Sequence, residues 1–155
     1  MTRSHTFTKK GIVHRDVKPS NVFLAKAAVL GDFGLAKTAT EQGVDRFYPQ
    51  DITAADETVG PVHWMSPELL RYMNDKTAPV DHRSDLFQLG LLLGFMLTGV
   101  CARGTLDEED EPTGVLFPLV QKLLHAKVDK RFQSAEQVHQ RDRAAPRQLE
   151  APLTF

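Results

Sequence analysis

A chain of 155 residues, 41% hydrophobic and 25% charged, has the makeup of one globular domain with a single core. Its formal charge of −1 argues against strong non-specific attraction to nucleic acid or to an anionic membrane, and its single cysteine, Cys101, excludes an internal disulfide framework. The amino-terminal MTRSHTFTKK carries no apolar stretch, and the longest apolar run, Leu89 to Leu97, is too short to span a bilayer. The expectation is a cytoplasmic or nuclear protein with neither a nucleic-acid nor a membrane partner.

In chain order, GIVHRDVKPSNVFL (11–24) comes first, with His14, Arg15, Asp16, Lys18, Pro19 and Asn21 crowded together. VFLA (22–25) and AVLG (28–31) read as two short strands joined by a tight turn at Lys26 and Ala27. From Lys37 to Gly60 the chain is polar and aperiodic, which predicts a long surface loop. PELLRYMND follows as a short helix opened by Pro67, with Glu68 near the positive end of its dipole. HRSDLFQLGLLLGFMLTG predicts a helix capped by Ser84 and apolar nearly all round, the pattern of an element buried mid-fold. Beyond the acidic loop LDEEDEP, GVLFPLVQKLLHAKV and SAEQVHQRDR predict two more helices, the second capped by Ser134. The Pro-containing end, 144–155, is expected to be a flexible tail.

An antiparallel hairpin brings the residues just outside its strands together, and the two-residue turn makes these Asn21 and Asp32. An amide oxygen and a carboxylate so placed suit Mg²⁺, which accepts sparse oxygen ligation and fills its other positions with water and phosphate oxygens. Asp16, five residues before Asn21, is near enough to orient a hydroxyl, and Lys18 can neutralise charge on a transferring group. Gly34 gives the backbone freedom to turn away from the metal site. Acid, amide and ammonium converge on phosphoryl transfer. His5, His63, His82, His125 and His139 show no metal-ligand spacing.

HRDVKPSN, GDFGLAK, WMSPELL and DHRSDLFQLG occur in this order, and together they resemble a eukaryotic-type protein kinase. The resemblance implies an α+β, mainly α fold: a kinase C-terminal lobe with a short β-hairpin beside the catalytic loop. It implies a partial kinase domain over 1–143, with the catalytic loop at 14–21, the activation segment at 32–68 and a helical subdomain at 67–143. No Gly-rich loop or lysine-bearing strand is found before the catalytic loop, so the N-terminal lobe is expected to be absent. Apolar surface on the Leu89 helix should then be exposed.

Carried over by position, Asp16 resembles the aspartate that accepts the substrate hydroxyl proton, and Asn21 and Asp32 resemble the magnesium ligands. Lys18 would contact the γ-phosphate, so ATP and Mg²⁺ are the implied cofactors and a protein hydroxyl the substrate. Arg15 resembles the arginine that pairs with an activation-loop phosphate, for which Thr38, Thr40, Tyr48, Thr53 and Thr58 are candidates, Thr53 and Thr58 foremost. His14 is expected to be a packed histidine, Glu68 and Arg131 an ion pair, and Asp85 an acceptor for the catalytic-loop backbone. GPVHWMSPE is similar to tyrosine-kinase-like members, whereas Lys18 followed by Pro19 favours serine/threonine specificity. The expected function is a serine/threonine protein kinase fragment, inactive or very weak alone. The alternative is a non-catalytic kinase-lobe remnant that binds a protein partner.

Overall fold

The computed structural model describes residues 12–38, 61–101 and 116–144. The chain opens with four short strands, β1 (Ile12–Val13), β2 (Val22–Leu24), β3 (Ala28–Leu30) and β4 (Lys37–Thr38), followed by helices α1 (Pro67–Asn74), α2 (Arg83–Thr98), α3 (Phe117–Leu123) and α4 (Ala135–Ala144). The strands form two separate antiparallel pairs, β1 with β4 and β2 with β3. The predicted hairpin is thus present, and a second ladder appears where the sequence predicts a loop, because Lys37 and Thr38 pair with Val13 and Ile12. Most of the predicted surface loop, the acidic LDEEDEP and nearly all of the predicted tail lie outside the described residues.

Helix α1 begins where Pro67 supplies a helical φ, and Ser66 just before it accepts the Leu69 N–H at 3.2 Å. Ser66 also meets Ser84 of α2, hydroxyl to hydroxyl at 2.7 Å, with both residues fully buried. Ser84 therefore lies inside the first turn of α2 and is not its cap. The capping work falls to Asp81, whose carboxylate accepts the Arg83 N–H at 2.9 Å while its backbone carbonyl takes the Ser84 N–H at 2.9 Å. At the other end α2 stops at Gly99, whose φ of 72° and N–H bond to the Phe95 carbonyl close the last turn. The predicted cap of α4 stands, since Ser134 Oγ accepts the Gln137 N–H at 3.3 Å.

α2 is the axis of the fold because it is apolar on more than one side. Leu91 and Leu92 pack with Val17, Trp64 and Cys101, while Leu86 packs with Leu119, Val120, Leu123 and Phe132. Each such buried leucine contributes roughly 1.5–3 kcal/mol through removal from water. The helix approaches α3 so closely at Gly90 that a Cβ there would sit 2.7 Å from Leu123 Cβ. Gly90→Ala gains helix propensity, yet overpacking against the Leu123 and Leu124 side chains costs more, so a net loss of about 1 kcal/mol is expected in urea unfolding. A gain in stability would show that the two helices slide apart readily. Exposed apolar side chains fall at the hairpin, at Phe23, Leu24 and Val29, and beyond the middle of α2, at Met96 and Val100. Leu89 itself is only partly buried, packed against the α3 cluster.

Candidate active site

The loop between β1 and β2 gathers its polar groups around Asp16. Pro19 opens a single 3₁₀ turn, Pro19–Asn21, which folds the chain back so that Asn21 faces the residue five positions earlier. Asn21 Nδ2 donates to the Asp16 carboxylate and to the Asp16 carbonyl, both at 2.8 Å. Lys18 Nζ lies 3.2 Å from the same carboxylate oxygen, Oδ2. With the amide nitrogen committed to Asp16, the Asn21 side chain offers its oxygen to any cation. Asn21 is buried, while Asp16 and Lys18 stay partly exposed at the rim.

Asp32 reaches this neighbourhood by a different route from the one the sequence suggests. The hairpin pairs Val22 with Leu30 and Leu24 with Ala28, and it closes through Ala25, Lys26 and Ala27, with the Ala25 N–H bonded to the Ala27 carbonyl at 3.2 Å. The turn therefore has three residues, not two. That one-residue difference puts Gly31 opposite Asn21, with Gly31 N–H to the Asn21 carbonyl at 2.9 Å, and leaves Asp32 one step beyond. Asp32 then adopts φ of 56°, which breaks the pleat's alternation as the chain leaves β3. The left-handed residue is thus Asp32; Gly34 has no positive φ, and its N–H donates to Asp32 Oδ1 at 3.2 Å. Gly31 matters for space, because a Cβ there would lie 2.6 Å from the Phe23 ring.

His14 ties the two segments together. Its Nε2 is 3.0 Å from the Gly31 carbonyl and its Nδ1 is 3.3 Å from the Asp16 N–H. The two contacts require the hydrogen on Nε2 and the lone pair on Nδ1. The ring also meets Phe33 edge-on, with centroids 4.7 Å apart. His14 is buried, so its contribution is to hold 16 and 32 on a common frame.

The loop is held from below by α2. Asp85 accepts the His14 N–H and the Arg15 N–H, each at 2.8 Å, and these bonds help to keep Arg15 at its left-handed φ of 71°. Burial pushes the Asp85 carboxyl above its ordinary range, against the pull of the two N–H bonds and the nearby His14 and His82. The folded chain therefore binds this proton more tightly than the unfolded chain does. Stability contributed by Asp85 is full below the ordinary carboxylate range, near pH 4, and falls as pH rises through the elevated value. Asp81 has the opposite slope: burial raises it, but the Arg83 hydrogen bonds and charge, together with His82, outweigh that and hold it low. Urea midpoints followed against pH should accordingly fall less with rising pH in Asp85→Asn than in the wild type. Identical slopes would mean that Asp85 is not desolvated.

Arg15 is buried, with its guanidinium 5.0 Å from the centre of the Tyr72 ring. Of the candidate phosphate-bearing residues, Thr38 lies in β4, and Thr40, Tyr48, Thr53 and Thr58 lie outside the described residues. Glu68 and Arg131 meet in a two-pronged ion pair, with Nη1 to Oε1 at 2.5 Å and Nη2 to Oε2 at 2.9 Å. Gln88, which the sequence reading does not single out, takes the Val17 N–H at 3.2 Å and donates to the Arg15 carbonyl at 3.1 Å. Its signal is present in the sequence: Asp85 and Gln88 are polar residues three apart on an otherwise apolar helix, and so share a face.

The residues fit Mg²⁺ and a phosphorylated ligand: the Asn21 amide oxygen and the exposed Asp32 carboxylate are hard oxygen ligands, and the Lys18 ammonium suits a phosphate. No cluster of three His, Cys, Asp or Glu suited to a metal is found among the described residues, and a magnesium site completed by phosphate does not need one. No helix among them is long and apolar enough to cross a membrane.

A mainly helical unit that presents this acid, ammonium and oxygen pair on a hairpin-anchored loop has the features of a kinase domain. The family model described as protein kinase domain matches residues 4–141, and the chain belongs to that family. A probable serine/threonine-protein kinase of Clostridium acetobutylicum is 37% identical over 93 residues, 59% of this chain and 12% of its own length. The serine/threonine-protein kinase STY17 of Arabidopsis thaliana is 35% identical over 124 residues, 79% of this chain and 18% of its own. The RAF proto-oncogene serine/threonine-protein kinase of Xenopus laevis is 29% identical over 104 residues, 66% of this chain and 15% of its own. The chain thus spans less than a fifth of the length of these relatives.

Proposed function

We propose that the chain is the catalytic-loop part, the C-terminal lobe, of a serine/threonine protein kinase that transfers the γ-phosphate of ATP to a protein hydroxyl. The observation that carries this reading is the contact of Asn21 Nδ2 with the Asp16 carboxylate, which sets a proton acceptor beside a metal-binding amide. In this reading the Asp16 carboxylate receives the proton of the attacking hydroxyl as its oxygen bonds to phosphorus and the bond to the ADP oxygen breaks. Lys18 Nζ, beside Asp16, faces the negative charge of the transferring group. Asn21 and Asp32 would hold Mg²⁺, which when bound neutralises the phosphates. Arg15 would receive an activation-loop phosphate, with Thr53 and Thr58 as the leading acceptors.

The domain assignment proposed with it is a partial kinase domain over 1–143, an activation segment at 32–68 and a helical subdomain from 67. The relatives' printed names support the serine/threonine class. The experiment is phosphate transfer from labelled ATP to a generic protein substrate by the whole chain. Slow transfer that disappears when the metal is chelated is expected; label incorporation equal with and without Mg²⁺ would sink the reading for this chain. That result would favour the second reading, an interaction module, to which the exposed cross-strand pair Phe23 and Val29, on one side of the hairpin, lends support.

A further inference from the structure

All four backbone N–H groups from His14 to Val17 are taken by side chains: those of His14 and Arg15 by Asp85, that of Asp16 by His14, and that of Val17 by Gln88. Gln88 does more than accept. Its Nε2 donates to the Arg15 carbonyl at 3.1 Å while its Oε1 receives the Val17 N–H at 3.2 Å, so one amide grips the backbone on both sides of Asp16. A primary amide has the donor and acceptor that a neighbouring strand would present, and here it stands in for one. The residue is 1% exposed, so bulk solvent has no access to replace it. Arg15, between the grip of Asp85 and that of Gln88, sits at φ of 71°, a conformation that an arginine keeps only where its surroundings hold it. Helix α2 thus carries two clamps one turn apart, a carboxylate before the bend and an amide across it.

We infer that Gln88 is a positioning residue for Asp16: it fixes the peptide groups on either side of the proposed proton acceptor and so sets where that carboxylate stands. The inference rests on the kinase reading only for what Asp16 does; the clamp itself is tested without it. Residue-resolved hydrogen exchange on the whole chain provides the readout. In the wild type the Val17 amide should exchange as slowly as the amides in the middle of α2. Free exchange of Val17 in the wild type would overturn the proposal before any variant is made.

Gln88→Met fills the same space with no donor or acceptor, and the Val17 amide should then exchange at least about tenfold faster, while Val120 and Leu123 in α3 keep their wild-type rates. Leu91→Ala, a cavity in the same helix, serves as the comparison for general loosening, in which exchange rises throughout α2 and α3 together. Acceleration in Gln88→Met that follows the Leu91→Ala pattern would overturn the clamp. In phosphate transfer, Gln88→Met should lower the turnover rate at least about tenfold and leave the KM for MgATP unchanged, because Asn21, Lys18 and Asp32 do not contact Gln88. A wild type that transfers no phosphate yet shows the exchange pattern above would strike catalysis by this chain and leave the clamp supported.

Discussion

Arg131→Met is expected to destabilise the fold by about 3–5 kcal/mol, read as a lower urea midpoint with an unchanged slope. Arg131 is 2% exposed and its guanidinium meets both oxygens of Glu68, itself buried. Removing the cation leaves a carboxylate in a site with little water, and the cost of that charge exceeds whatever the intact pair contributes. The same guanidinium also donates to the carbonyls of His125 and Arg83, at 2.7 and 2.9 Å, and stacks on the Phe87 ring 4.7 Å away. These carbonyls lose a donor along with Glu68. The double variant Glu68→Leu with Arg131→Met should be less damaged than Arg131→Met alone, since no lone charge remains. If the double variant loses the sum of the two single losses, the pair is not coupled and the argument from desolvation fails.

The second large effect concerns chemistry. Asp16→Asn should reduce MgATP-dependent phosphate transfer by about 10²–10⁴, the usual worth of a positioned acid or base. The substitution keeps the shape of the side chain and one acceptor oxygen for Asn21 Nδ2, so the loop should retain its fold. MgATP affinity and the urea midpoint are accordingly expected to stay near the wild-type values. A variant that transfers phosphate as fast as the wild type would remove Asp16 from the reaction, whereas a large loss with unchanged binding places the effect in the transition state.

Which parts of this structure were legible in the sequence follows from the physics of each. The four helices are visible because local signals agree: Pro67 at a first turn, an apolar run ended by Gly99, the apolar GVLFPLVQKLLHAKV around α3, and Ser134 before a polar helix. The hairpin was visible in outline, but its turn lacks the Gly, Asn or Asp that would have announced its type, and a loop of three residues shifted the register by one. The strand pair β1–β4 was missed because two residues carry no period; it exists only through partners more than twenty positions away. Ser84 has the chemistry of a cap, yet it is buried against Ser66, a contact between distant segments that no local pattern reports. At the site, the ordered motifs point to the residues around Asp16, while Gln88 lies within DHRSDLFQLG without any role that the resemblance implies, because its partners are backbone groups some seventy residues away.

The dependence of the loop on α2 also bears on how the protein is made. The bonds from Asp85 and Gln88 span 70 to 73 residues of chain, so the segment from His14 to Val17 cannot acquire its bend until the ribosome has released α2. At ordinary elongation rates of about 5–20 residues per second, that is an interval of about 4–14 s. During it, an arginine has no reason to remain left-handed, and the segment around it samples other shapes. Asp16 is therefore translated well before the helix whose side chains complete its surroundings.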